Sequence, residues 1–446
     1  MYRQLYRLMR MVRPREFSSL QYSRELEKSQ WLSLDQLQNI AWKRLKKLLD
    51  HAYANVPYYR DRFRHAGLTP ADIQTSADFS QIPLMTKDDV RTHKDDLIAQ
   101  NYDKSRMRRD STSGSTGIPL VVYHDNHYVP IENAAFTRSR RWFGIEPGDK
   151  SAWIWGRRDD LPPETWSARL ITKLKRERWL NAFRVSDEEM GRFADLLVQW
   201  QPDYLVGYAT SVYFFARYVS IHQVTGIRPN AVETTAGMLR PHERQKIEEA
   251  FDCRVFDRYG SHEVGHIASE CDQGRMHIFC DIAYVEILTG GKPVSEGAVG
   301  EIVVTPLYNF GMPLIRFRIG DLGVLDSQPC PCGRGLPVLS ELIGRTNSII
   351  TLPSGKYWYG GIFLTILEDI LEIQQFRVHQ PTKDRLEILL EKGDGLSQET
   401  IELVHTRLTK MLGDEPVEAS IKVTDKIPPT ASGKYLVTTS DVPVEL

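Results

Sequence analysis

From about residue 110 to residue 345, short β-branched runs alternate with stretches of helical periodicity, and this alternation constrains the fold more than any other feature of the chain. Residues 120–123 and 301–305 read as strands, and residues 188–200 read as a helix. Strands and helices in alternation form α/β layers, because each sheet face is covered by the helices that connect its strands. Beyond Gly344 and Arg345 the pattern resets: residues 362–373 and 397–412 read as helices, 386–390 and 418–423 as strands. The expected fold class is therefore α/β, with a large multi-layered N-terminal domain over 31–345 and a small α+β C-terminal domain over 346–446. A basic segment, 1–30, precedes them.

The 446 residues are 41% hydrophobic and 26% charged, enough apolar surface for more than one core. Lys plus Arg (57) and Asp plus Glu (58) nearly cancel, so no global field favours nucleic acid or another polyanion. Five cysteines without a regular framework point to a reducing compartment, with the cytoplasm as the expected location. No apolar run approaches the ~20 residues of a transmembrane helix. Arg3, Arg7, Arg10, Arg13 and Arg15 give the N-terminus a basic face without a secretory signal's apolar core, so a solvated helix is expected there. Ser33 with Gln36 forms a capping box that opens a helix carrying Leu37, Ala41, Leu45, Leu48 and Ala52 on one face, and Pro57 ends it. Thr86 with Asp89 opens another.

Five loops carry chemistry. Thr112, Ser113, Gly114, Ser115, Thr116 and Gly117 combine two glycines with four hydroxyls ahead of a strand. Backbone amides and hydroxyls of this kind can hold phosphate oxygens, although the Gly-Lys-Ser/Thr ending and following helix of a Walker loop are absent. Tyr259 and Gly260 can lie against a purine, and Glu263, three residues on, can hold Mg²⁺ at phosphates; Ser261 and His262 stand between. Phe317 and Ile319 alternate with charges as in a half-buried strand and deliver Asp321 after a glycine turn, where a carboxylate can accept ribose hydroxyls. Arg345 lies where the composition resets, and Lys434 is presented by a Ser-Gly-Lys turn near the C-terminus. Each alone is also readable as an ordinary surface turn.

In this order and at these intervals the five motifs resemble the adenylate-forming superfamily. The stretch His51 to Arg60, then Gly67-Leu68 and Ile82 to Lys87, narrows the resemblance to the phenylacetate-CoA ligase family, including members from capsular polysaccharide gene clusters. The resemblance runs from about residue 30 to the end. It implies ATP-dependent activation of a carboxylic acid as acyl-AMP with release of pyrophosphate, then transfer to a thiol, either coenzyme A or a carrier protein. It also implies that Thr112 to Gly117 wrap the ATP phosphates, Tyr259 meets adenine, Glu263 holds Mg²⁺, Asp321 holds the ribose, Arg345 contacts ribose or phosphate, and Lys434 on a small C-terminal lid stabilises the α-phosphate. By family position Tyr208, Ala236, Gly237, Met238, Ser261 and His262 line the acid pocket. The pattern is departed from at Ile118, where a lysine often stands, at His262, where many relatives have threonine, and at Asn347, where aspartate is usual at the hinge. A non-thiol acceptor in polysaccharide biosynthesis, or a nucleotide-binding relative without catalysis, are the alternatives. A homodimer is compatible with the sequence, which does not specify the acid.

Cys271, His277, Cys330 and Cys332 offer three soft thiols and one imidazole, a ligand set for structural tetrahedral Zn²⁺. Scattered free cysteines beside a surface histidine is the competing reading. Cys280 is a spare ligand.

Overall fold

A computed structural model describes residues 14–112, 120–156, 165–182, 186–345, 348–359, 362–367, 370, 372–393, 395–428 and 437–442. The chain divides into two compact units. The first comprises Met1–Glu286, Val303–Ile319 and Leu325–Ser340; the second comprises Ile287–Ile302, Gly320–Val324 and Glu341–Leu446.

In the first unit the expected α/β layering is present. Strands β1 (Arg108–Thr112) and β2 (Leu120–His124) form an antiparallel hairpin in which Thr112 pairs with Leu120. Strands β3 (Ser151–Trp155), β4 (Glu177–Asn181), β5 (Tyr204–Tyr208), β6 (Ala231–Thr235) and β7 (Val255–Ser261) are parallel, in the spatial order β4-β3-β5-β6-β7. Each connection carries a helix: Trp166–Lys175, Asp187–Trp200, Ala209–Ile221 and Pro241–Phe251. Parallel strands need such crossovers, and the helices bury Phe193, Leu197, Phe215 and Phe251 against Leu205 and Val232 of the sheet. After β7 the chain turns back antiparallel through β8 (Gly265–Glu270) and β9 (Met276–Ile278). His277 then pairs with Val338 at the start of the strand Val338–Arg345.

The capping box at Ser33 and Gln36 forms as expected and opens the helix Leu34–Asn55, whose five expected apolar residues are buried along with Leu49. Thr86 and Asp89 cap Lys87–Thr92 in the same way. A helix Pro14–Ser29 buries Leu26 and packs on Tyr128–Trp142. The two are joined through Asp281, which accepts hydrogen bonds from Ser29 and Arg138; all three side chains are buried. This end of the basic segment is thus docked, and the earlier arginines up to Arg13 lie outside the described residues.

The second unit contains a four-stranded sheet in the order 418–424, 385–392, 373–382, 438–440, with the helices Ile362–Leu367 and Gln398–Leu412 supplying Phe363, Leu367, Val404 and Leu408 to its core. The helix expected over 362–373 is shorter: Ile373 already begins the strand Ile373–Thr382, because its β-branched, aromatic sequence pairs with residues 385–392.

Candidate active site

In an open parallel sheet, ligands bind beyond the carboxyl ends of the strands. Tyr208 is the last residue of β5, and Ala236, Gly237 and Met238 directly follow β6. Ala236 adopts the left-handed conformation (φ 63°), a strained state for a residue with a Cβ, and Met238 is exposed. Trp155, the last residue of β3, lies with its ring centroid 4.6 Å from that of Tyr208 and joins the set unforeseen from sequence.

Tyr259 is buried on β7 opposite Ala268 of β8, and a register shift separates it from Gly260. A Cβ on Gly260 would lie 2.4 Å from the carbonyl oxygen of Gly265, so the turn closes only with glycine there. The Ser261 hydroxyl accepts from the Val264 amide at 3.4 Å and braces the turn that carries His262 and Glu263. Glu263 is 7% exposed and, among the described residues, receives no hydrogen bond.

The turn is joined to the β1–β2 hairpin. His262 Nδ1 lies 3.4 Å from Asp110 Oδ2, and His124 Nε2 donates to the His262 carbonyl oxygen at 3.0 Å. His124 stacks on Tyr128 with centroids 4.0 Å apart. Burial pushes the His124 imidazole down to about 4, so the ring is neutral near pH 7. On the other side of the turn Glu132 accepts from the His266 amide at 3.0 and 3.2 Å, and burial pushes its carboxyl up to about 7. Beneath, Glu233 of β6 is ion-paired at 2.9 Å both to Arg140 and to Arg258, the neighbour of Tyr259. Burial alone would raise the Glu233 carboxyl; the two guanidiniums hold it below the usual carboxylate range.

Thr112 ends β1, while Ser113, Gly114, Ser115, Thr116 and Gly117 lie outside the described residues, as does Lys434. In the second unit Asp321 and Arg345 meet as an ion pair, with Arg345 Nε 2.9 Å from Asp321 Oδ1. Asp321 lies inside the strand Phe317–Asp326 rather than after a separate turn, the bend being absorbed by Gly320 at φ 83°.

No family model matches the chain. It is 24% identical over 416 residues to the phenylacetate-coenzyme A ligase of Thermus thermophilus, covering 90% of this chain and 89% of that protein. The chain is similar to phenylacetate-coenzyme A ligases over most of its length. It is also 26% identical over 331 residues to protein CapK of Staphylococcus aureus, covering 71% of this chain and 69% of CapK. A 2-hydroxyisobutyryl-CoA ligase solved in the postadenylation state, with an acyl-AMP named R3-HIB-AMP, superposes with a TM-score of 0.76 over 93% of this chain and 91% of that one, at 20% identity. The fold is that of the adenylate-forming CoA ligases.

At the far end of β8 this ligase-like chain gathers the cysteine cluster. The β8–β9 turn, closed by the Cys271 amide donating to Arg275 O and the Gly274 amide to Cys271 O, sets Cys271 and His277 side by side. Cys330 and Cys332 reach them from a second turn, and the four ligand atoms lie within 4.8 Å of one another. Cys271 Sγ to Cys330 Sγ is 3.7 Å, close to the edge of roughly 3.8 Å that a tetrahedron with ~2.3 Å Zn–S bonds requires. His277 Nδ1 donates to Leu336 O at 2.9 Å, which leaves Nε2 facing Cys332 Sγ at 3.2 Å. Burial pushes the His277 imidazole down to about 4 and the Cys330 thiol up to about 12.

Proposed function

We propose that this protein is an AMP-forming acid–thiol ligase that joins a carboxylic acid to a thiol in two steps. A carboxylate oxygen attacks the α-phosphate of ATP, giving acyl-AMP and pyrophosphate; a thiol then attacks the acyl carbon, giving a thioester and AMP. The observation that carries the reading is the junction at His262, where Asp110 and His124 tie the hairpin bordering the Ser/Thr/Gly loop to the turn that bears Glu263. The hairpin strands that flank the loop and the buried carboxylate are thereby tied together. Similarity to the phenylacetate-coenzyme A ligase of Thermus thermophilus over nine-tenths of the chain supports it.

In this reading Thr112 to Gly117 hold the phosphates, Tyr259 and Gly260 receive adenine, and Asp321 with Arg345 holds the ribose. Lys434 meets the negative charge that builds at the α-phosphate as pyrophosphate leaves. Glu263 suits Mg²⁺, being a buried carboxylate that receives no hydrogen bond from the described residues. That ion would neutralise phosphate charge. The acid lies among Tyr208, Trp155, Ala236, Gly237, Met238, Ser261 and His262. Coenzyme A is the thiol we favour, with a carrier protein as the other.

Cys271, His277, Cys330 and Cys332 would hold one structural Zn²⁺. Three thiols and a neutral imidazole fill all four positions, leaving none for substrate. All five cysteines are free of disulfides, in keeping with a cytoplasmic setting. Among the described residues no helix is long and apolar enough to cross a membrane.

The test is exchange of labelled pyrophosphate into ATP across a panel of aryl, hydroxy, fatty and amino acids, followed by product analysis with coenzyme A. Exchange that is lost in Lys434→Ala while ATP still binds, with an Mg²⁺ requirement raised in Glu263→Gln, supports the assignment. Folded protein that exchanges with no acid, or exchange unaltered by both substitutions, overturns it.

A further inference from the structure

The helix Trp166–Lys175 connects β3 to β4, the last strand of its sheet, and presents apolar side chains outward. Trp166 is 80% exposed, Leu170 49%, Ile171 41% and Leu174 39%. No other ten-residue stretch among the described residues exposes as many large apolar side chains. At 100° per residue, Trp166, Leu170 and Leu174 follow one another at i, i+4 and i+8, and with Ile171 they cover an arc of roughly 140°. Lys173 and Lys175, both exposed, stand at its two edges. The next two cations are turned inward: Arg176 donates to Gly148 O at 3.1 Å, while Arg178 donates to Glu177 O at 3.0 Å and lies 4.8 Å from the Trp200 ring.

An apolar arc bounded on both sides by lysines, with a tryptophan at one end, fits the boundary between the headgroups and acyl chains of an anionic bilayer. There the apolar side chains leave water, the lysine stems lie along the same apolar layer, and the ammonium groups reach the anionic headgroups. A second copy of the same helix is a poorer occupant, since the helix carries no acidic residue to meet the lysines of its partner. We propose that the helix Trp166–Lys175 docks this protein reversibly onto an anionic membrane surface. The helix lies in the plane of the interface and spans nothing.

Flotation of the full-length protein with phosphatidylcholine vesicles, with and without phosphatidylglycerol, tests this. Wild type should bind the anionic vesicles about tenfold more than the neutral ones, and salt should weaken that binding. Leu170→Ser/Leu174→Ser and Lys173→Glu/Lys175→Glu should each lower it by about tenfold, with unchanged circular dichroism and thermal melting. Wild type that fails to float, or double variants that float as well as wild type, would overturn the proposal. So would a dimer in sedimentation equilibrium that the leucine substitutions dissolve, because the face would then belong to a second copy.

Discussion

Strand β8 has two ends, and they are held by different physics. At Gly265 the chain leaves the turn of Tyr259 to Glu263, which is fixed by charge and close backbone approach: Glu233 between two arginines, Glu132 on the His266 amide, Asp110 on His262. At Cys271 it enters a turn whose side chains converge as a soft-ligand cluster. At the charged end Glu233, Glu132 and Asp110 each have a protein partner, so the frame that carries Glu263 is held together by the chain's own groups. At the cysteine end three thiols and a neutral imidazole converge within 4.8 Å, and in the proposed reading a structural Zn²⁺ would join them and carry the stability of that end.

That difference gives the largest expected effect. Chelation at neutral pH should release about one zinc per chain and lower unfolding stability by several kcal/mol, with Cys271, Cys330 and Cys332 becoming reactive to a thiol reagent. Cys330→Ser should do the same without chelator, and apparent ATP affinity should change far less than stability. Elemental analysis, denaturant unfolding and thiol titration read these outcomes. A metal-free sample with wild-type stability would erase the contrast.

At the charged end the corresponding break is Glu233→Gln. It leaves the partly buried Arg140 and Arg258 with one neutral partner between them, at a cost of up to about 3–5 kcal/mol, the range for a buried pair that loses its counter-ion. Denaturant unfolding should show this loss with the zinc content intact. Gly260→Ala comes next. Its Cβ would sit 2.4 Å from the Gly265 carbonyl oxygen, so the turn must open at a cost of roughly 2 kcal/mol, and the Mg²⁺ requirement of pyrophosphate exchange should rise as Glu263 shifts.

How legible each end is in the sequence follows from the same contrast. Cys271 and His277 are six positions apart around one turn, and Cys330 and Cys332 two apart around another, so local spacing marks each pair as a ligand pair, while the meeting of the two pairs, 59 positions apart at Cys271 and Cys330, is set by the fold. The tyrosine–glycine–glutamate motif is visible for the same reason. Its supports are not: Glu233 lies 93 positions from Arg140, and Asp110 lies 152 from His262. Their ordinary local sequence carries no mark of the partner. His124 was the nearest to a signal, a histidine closing the strand after the Ser/Thr/Gly loop. The helix over 362–373 failed for a related reason, because strand pairing with residues 385–392 outweighs local periodicity.

The smallest effect separates the two ends by pH. The Glu132 carboxyl is pushed up to about 7 in the folded chain by burial, whereas in the unfolded chain it ionises near its ordinary value of 4.5. Between those values the folded state holds a proton that the unfolded state has lost, so this stabilising contribution is complete below about 4.5, declines as pH rises, and is gone above about 7. Asp257, pushed up to about 7 by burial and by Glu270, acts in the same direction. Wild-type unfolding stability should therefore fall by about 1 kcal/mol per group between about pH 6 and about pH 7, and Glu132→Gln should remove one group's share of that slope. The Gln side chain still accepts from the His266 amide, so the turn stays closed and only the pH dependence changes. If denaturant unfolding of Glu132→Gln shows the wild-type slope, the carboxyl is ionised in the fold, and the charged end of β8 carries a negative charge that its backbone amide and Arg258 must be neutralising.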